Sequence, residues 1–420
     1  MTQVTRHDNI NVMKKEKQEM SITETQYKTM WNRGYICAFI ANALLCFSQN
    51  FLNTLVSEYA GILGAGTVMA GVITGLYFGI SFAARPFSGP AITKLNKKHI
   101  MYFAYGMGVI VNVVYAVSAN TGMFIVARIL HGIQFAFIGS LNLVLAADYL
   151  PKDKMGSGLG FFGVGGAITT AIGPTIGMSV CDWGNATFGG TAGYKIVFLV
   201  SAACMLVSIL PCALMPYKRE SKEELDKLGK WYNNIIAVES IFPAILMLLF
   251  SMSSIMYTSY MKLFAQERGI ENIGYYFTVY AIVLLAARPL CGKLLDKYGI
   301  KKIFYPAAVC FVASFLIVGS SHTLWMTFVG AVLAAIGYGA IQPSIQTLCV
   351  SCVDPLRRGA ASNTNYFGLD LGYFLGPIVG GFVVDISGSY ATMYYTAVIP
   401  LILGTIIFTA GWGKFKNYLK

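Results

Sequence analysis

The chain has 420 residues, 56% of them hydrophobic and 12% charged, with a net charge of +12. Its mean hydropathy is +0.60. Soluble domains carry roughly 25% charged residues, so a disordered chain and an ordinary water-exposed enzyme fold are both excluded. The basic residues lie in short segments between apolar runs, a pattern of membrane topology and not the stripe of a nucleic-acid binder. The nine cysteines fall at irregular spacing, mostly within apolar runs, which argues against a disulfide framework.

About 20 mostly apolar residues cross the hydrocarbon core as a helix. Twelve such runs follow in chain order: 34–57, 67–88, 99–118, 122–147, 156–180, 193–215, 239–261, 275–292, 303–320, 324–350, 360–384 and 391–412. The expected class is an all-α integral membrane protein with twelve transmembrane helices. Residues 1–32 are polar and lack an apolar core, so they read as a tail and not a signal peptide. Residues 33–216 and 239–413 each hold six runs, 217–238 joins them, and 414–420 forms a second tail. Within the joining segment, Ser221–Gly229 has the charge pattern of an amphipathic surface helix, although a plain connection is the simpler reading.

Twelve spans put both ends on one side. Of the 31 Lys and Arg residues, 27 fall on that side when Arg85 and Arg288 are counted with the adjoining connections. Lys195, Lys262 and Arg268 fall on the other, and Arg128 lies within a span. The bias predicts a multi-pass protein of the cell membrane with both termini cytoplasmic.

The two halves repeat. Ala83-Ala84-Arg85-Pro86 followed by Gly89 recurs as Ala286-Ala287-Arg288-Pro289 followed by Gly292, an offset of 203. The same offset carries Tyr102 to Tyr305, Gly156 to Gly359, and Gly173-Pro174-x-x-Gly177 to Gly376-Pro377-x-x-Gly380. Two like-oriented six-helix units facing each other suit alternating access, in which a central site opens to one face at a time.

After span eight the chain reads Gly292-Lys-Leu-Leu-Asp296-Lys-Tyr-Gly299-Ile-Lys301-Lys302. Its first copy begins at Gly89 and has Thr93 where the acid belongs. These residues resemble the loop signature G-x-L-x-D-R-x-G-R-K of the major facilitator superfamily, and the resemblance covers about residues 34–413. It implies two pseudo-symmetric six-helix bundles and a cytoplasmic gate whose ion pairs latch one conformation, at Arg85, Gly89, Asp148, Arg288, Gly292, Asp296, Gly299 and Lys301. Asp148 is expected near Arg85, as a substitute for the acid missing at Thr93. Arg128-Ile-Leu-His131-Gly132 resembles the family's R-x-x-x-G pattern, which implies proton coupling. Gly173, Pro174 and Gly177 in span five, with Gly376, Pro377 and Gly380 in span eleven, are similar to its antiporter signature, which leans towards export. Small residues and Pro there suit close packing and helix kinks.

Asp370 is the one acid deep within a span; the other eighteen lie in tails, connections or span ends. A carboxylate at that depth is costly unless partnered or protonated. The expected proton-coupling set is Asp370 with Arg128 and His131. Spans one, four, seven and ten, which line the cavity in the family, supply Asn42, Gln49, Asn53, Gln134, Asn142, Ser254, Tyr257, Tyr338 and Gln342. The set is polar and uncharged, which suits neutral or amphipathic organic molecules.

The expected function is secondary active transport of a small organic or amphipathic solute, as proton-coupled export of the twelve-span bacterial efflux type. Proton-coupled uptake of an organic metabolite is the alternative. No cofactor is expected beyond the proton gradient, and the partners are solute, protons and lipid, with no nucleic acid and a monomeric state. An embedded enzyme would need a metal cluster or nucleophile–base set at one depth. Cys349-x-x-Cys352 at an apolar helix end reads as packing, and neither a phosphate-binding loop nor a re-entrant filter is present.

Overall fold

A computed structural model describes residues 29–53, 55–65, 67–217 and 222–415. The two expected tails, 1–32 and 414–420, and the start of the Ser221–Gly229 pattern therefore fall largely outside the described residues. The long helices are α1 Arg33–Asn53, α2 Thr67–Lys94, α3 Lys97–Val117, α4 Thr121–Asp148, α5 Met155–Phe188 and α6 Ala192–Val207, which Ile209–Leu214 extends. They continue with α7 Ile241–Ser259, α8 Gly274–Tyr298, α9 Ile300–Gly319, α10 Leu324–Ser351, α11 Arg358–Ser387 and α12 Val398–Phe415, the last preceded by Tyr390–Thr396. Eleven described spans are long and apolar enough to cross a membrane by length and composition.

Local sequence fixes several helix starts. Asn96 accepts from the Lys98 and His99 amides, and Asn120 and Thr323 accept from Met123 and Met326. These caps satisfy amides that have no partner within the helix. The helix α5 has no such cap of its own, because the side chain at Lys154 makes none.

Contacts within each half repeat with a shift of six helices. The helix α1 packs on α5 as α7 packs on α11, and α2 packs on α4 as α8 packs on α10. The halves meet chiefly where α5 lies on α8 and α11 on α2. Outward-facing residues such as Ile110, Val117, Leu210, Ile282, Val309 and Ile406 are exposed and apolar, as a lipid-facing surface requires.

The helices overrun the apolar runs. The first run breaks after α1, and Val56–Ile62 forms a separate short helix. At the basic end, the end that carries most Lys and Arg, α2 continues to Lys94 and α8 to Tyr298. Arg85 and Arg288 therefore lie nine and ten residues inside their helices, about 14 and 15 Å from those ends at 1.5 Å per residue. They do not belong to the connections. Removing them from the charge count leaves 25 basic residues against three, so the bias survives.

The joining segment docks. Its helix spans only Lys222–Asp226, followed by 3₁₀ turns at Trp231–Asn234 and Val238–Ser240. Trp231 lies 6.2 Å from the Phe87 ring of α2, and the Ala237 amide donates to Thr364 Oγ1 of α11 at 2.9 Å. The segment thus touches both halves at the basic end, more than a simple tether does.

Candidate functional site: a buried ion pair beside a polar cavity

Arg85 and Asp370 are both fully buried and meet across the two halves. Arg85 Nε and Nη2 each lie 2.9 Å from Asp370 Oδ2, and Ser81 Oγ donates to the same oxygen at 2.7 Å. Arg85 Nη1 donates to the Ala136 carbonyl at 2.8 Å and to Ser140 Oγ at 2.5 Å. The guanidinium also lies 4.7 Å from the Tyr366 ring. Every face of the cation is thus occupied, as desolvated charge requires. Asp370 Oδ1, by contrast, has no hydrogen-bond partner among the described residues.

The expected grouping of Asp370 with Arg128 and His131 is not what the fold builds. Arg128 donates from Nε to the Ile73 carbonyl and from Nη2 to the Thr74 carbonyl, both at 3.0 Å, and lies over the Tyr77 ring at 4.9 Å. His131 Nδ1 is 3.3 Å from Tyr115 Oη, and its ring meets Tyr77 edge-on. Arg85, and not Arg128, pairs with Asp370, because α2 carries it to that depth. Arg128 and His131 instead line a cavity of about 170 Å³ with Gln49, Asn50, Tyr77 and Tyr373. Phe78 and Phe135 complete its wall.

Of the described members of the cavity set, Gln49 alone lines this space, donating to Tyr77 Oη at 2.6 Å. Asn42 and Asn142 bond each other, and Asn142 bonds Tyr105, so they tie α1, α3 and α4 together. Gln134 is buried with both amide atoms unpartnered and lies against Gly108 of α3. Tyr257 is buried among Tyr276, Phe315 and Tyr394, and Ser254 is buried on the same helix. Tyr338 Oη is 3.3 Å from Tyr373 Oη, and Gln342 Oε1 accepts from Arg288 Nη2 at 2.8 Å. The Asn53 side chain lies outside the described residues. Tyr77, Tyr373, Phe78 and Phe135 were missed because aromatic residues are the default filling of any helix bundle.

The gate residues separate into distinct devices. Asp296 accepts from the Gly156 and Ser157 amides at 2.7 and 2.8 Å, so one half caps the uncapped α5 of the other. Asp148 does not meet Arg85. It pairs with Lys97 at 2.9 Å and with Arg358 of the other half at 3.1 Å. A side chain at Gly292 would strike the Gly156 carbonyl, and one at Gly89 would strike Asn363, so both glycines permit inter-half contact. Gly299 ends α8 at φ +78°, a conformation glycine adopts freely. Lys301 is exposed.

Both proline helices run unbroken, α5 through Pro174 and α11 through Pro377. A Cβ at Gly173 or Gly177 would meet Asn50 or Phe51 of α1; one at Gly376 or Gly380 would meet Ile255 of α7 or Tyr260 just after it. These glycines serve close packing inside each half.

All inter-half hydrogen bonds among the described residues lie at, or on the basic side of, the Arg85–Asp370 pair. Further examples are Ser88 Oγ to Asn363 Oδ1 at 2.8 Å and Ser362 Oγ to the Ser140 carbonyl at 2.9 Å. The cavity lies on the other side. The bundle is clasped at its basic end.

Known proteins share this design. The Multidrug resistance protein MdtG of Escherichia fergusonii is 27% identical over 418 residues, covering 95% of this chain and 98% of that protein. The protein of the same name from Citrobacter koseri is 27% identical, covering 92% and 96%. Among solved structures, the proton:xylose symporter XylE superposes with a TM-score of 0.76 at 12% identity, covering 90% of this chain and 95% of that one. The human organic anion transporter MFSD10 gives 0.73 at 15%, covering 89% and 98%. The profile of the Major Facilitator Superfamily matches residues 38–276 and 243–414. With twelve long helices among the described residues, a repeat shifted by six helices and these matches across its length, the chain belongs to the Major Facilitator Superfamily.

Proposed function

We propose that the protein is a proton-coupled exporter of small organic solutes, with its basic end facing the cytoplasm. The observation that carries this reading is the Asp370–Arg85 pair, a buried carboxyl group that joins the two halves beside the cavity. The curated relatives named as multidrug resistance proteins support the direction. The excess of basic residues at one end supports the orientation and places both termini in the cytoplasm.

The geometry suggests the cycle. In the clasped state the cytoplasmic end is closed and the cavity lies on the outer side. A proton arriving from outside adds to Asp370 at Oδ1, the oxygen without a donor. The neutral acid no longer holds Arg85 electrostatically, which weakens an inter-half bond and lets the basic end part. Solute then enters from the cytoplasm as the proton leaves, the pair re-forms, and the bundle closes behind the cargo. One proton moves in as one solute moves out, with no catalysis by the chain.

Everted vesicles with an acid lumen test this, using a panel of neutral, cationic and anionic aromatic dyes. At least one dye is expected to accumulate only when the lumen is acid. Asp370→Asn is expected to reduce that accumulation more than tenfold while inserting normally. Accumulation driven by the opposite gradient, or surviving in D370N, overturns the proposal.

A further inference from the structure

The offset of 203 that relates the halves carries Arg85 to Arg288, yet it carries Asp370 back to Ala167. The second arginine thus keeps its place at membrane depth without the acid that neutralises the first. Arg288 Nη1 donates to the Gly163 carbonyl at 2.5 Å, and Nη2 donates to Gln342 Oε1 at 2.8 Å. Both acceptors are neutral. Nε has no partner, and no carboxylate lies within 4.0 Å of the guanidinium among the described residues. Gly163 is itself fitted to this cation, since a Cβ there would overlap Nη1.

An unneutralised cation at such depth is costly and marks a pathway or a binding site more often than a packing role. Its surroundings suit an organic anion. Tyr280 lies about two turns from Arg288 on α8, Gln342, which accepts from Arg288, lies about one turn from Tyr338 on α10, and the hydroxyls of Tyr338 and Tyr373 approach to 3.3 Å. Tyr373 also forms part of the cavity wall, which connects the cation to the solute space. Aromatic rings with hydroxyl tips offer both an apolar surface and hydrogen bonds. The guanidinium offers a planar fork matched to a carboxylate.

We propose that Arg288 recognises the carboxylate of an amphipathic organic acid, whose apolar body lies along Tyr280, Tyr338 and Tyr373. The incoming carboxylate replaces the neutral acceptors and supplies the charge that Ala167 lacks. This rests on the export reading above and names the solute class it would carry. It narrows the neutral or amphipathic solutes that the sequence alone suggests to amphipathic acids.

Equilibrium binding to the purified full-length protein in detergent tests the idea, with 2-naphthoate as probe and 2-naphthamide as its neutral counterpart. The wild type is expected to bind the carboxylate at least tenfold more tightly than the amide. Arg288→Gln abolishes that preference while amide affinity stays within threefold, and Arg288→Lys retains part of it. Equal binding of the two probes by the wild type overturns the assignment. So does a preference that survives in R288Q, or one that is lost only in Arg128→Gln. Binding is read without transport, so gradient-driven dye accumulation with no carboxylate preference refutes only this inference. A carboxylate preference without any gradient-driven transport refutes only the exporter.

Discussion

The two halves handle the same arginine in opposite ways. Arg85 crosses to a carboxylate and is enclosed on every side, whereas Arg288 at matching depth crosses only to a carbonyl and is otherwise held by an amide oxygen of its own half. At the basic end the asymmetry runs the same way. The second half sends Asp296 to cap α5, while the first half places Thr93 against Gly359 and turns its hydroxyl to the Gly89 carbonyl at 2.8 Å. The second half therefore contributes both of these acids to the clasp, at different depths. The buried charge beside the cavity is separated from the charge that holds the ends together.

The largest effect is expected from breaking the buried pair on one side only. Arg85→Met leaves the Asp370 carboxylate unpaired and costs about 3–5 kcal/mol. Joint replacement, Arg85→Met with Asp370→Leu, removes both buried charges and is expected to restore most of that stability while leaving gradient-driven transport absent. Thermal unfolding in detergent and the vesicle assay check the two parts separately. Additive destabilisation in the double variant would show that the two residues do not act as a pair. In the other half, Arg288→Met strands only neutral acceptors, so its cost is expected to be smaller, about 1–3 kcal/mol. Equal losses at the two arginines would erase the distinction between the halves.

The end contacts come next. Asp296→Asn keeps an acceptor near the Gly156 and Ser157 amides but removes the charge at the start of α5. The loss is about 1 kcal/mol, or about a fivefold shift from closed to open at the basic end. Spin-label distances between Leu95 and Asp354, exposed on opposite halves, are expected to gain a longer component. An unchanged distribution would mean that Asp296 caps a helix without latching the bundles.

Much of this arrangement was legible in the residues. Apolar run length gave the spans, and the offset of 203 gave the repeat, because both follow from single-chain patterns that a bilayer enforces. Asp370 stood out for the same reason: hydrocarbon makes a buried acid conspicuous. Its partner did not stand out. Gly89, Pro90, Thr93 and Lys94 lower the hydropathy after Arg85, so the run ended early while the helix went on. Asp148 was misassigned for a related reason, since Arg358 and Lys97 reach it only through the meeting of three helix ends. Polar side chains that bond a neighbouring helix, such as Asn142 and Gln342, carry no mark in the sequence that separates them from cavity residues.

The smallest effect tests whether the asymmetry at the basic end is adjustable. Gly359 and Ala360 stand to Thr93 as Gly156 and Ser157 stand to Asp296, and no side chain of its own caps α11 at Arg357. Thr93→Asp would place a carboxylate beside amides that already lie close, since a Cβ at Gly359 would sit 2.6 Å from Thr93 Oγ1. Capping with a charged acceptor contributes about 0.5–1 kcal/mol at such a position. The closed basic end should gain two- to fivefold in population, and the Leu95–Asp354 distance distribution should narrow. Combined with Asp296→Asn, the new acid should recover part of the lost closure, because either half can then supply the cap. A longer distance in T93D would instead mean that the buried threonine site rejects charge, and that this half dispensed with its acid for packing and not for balance.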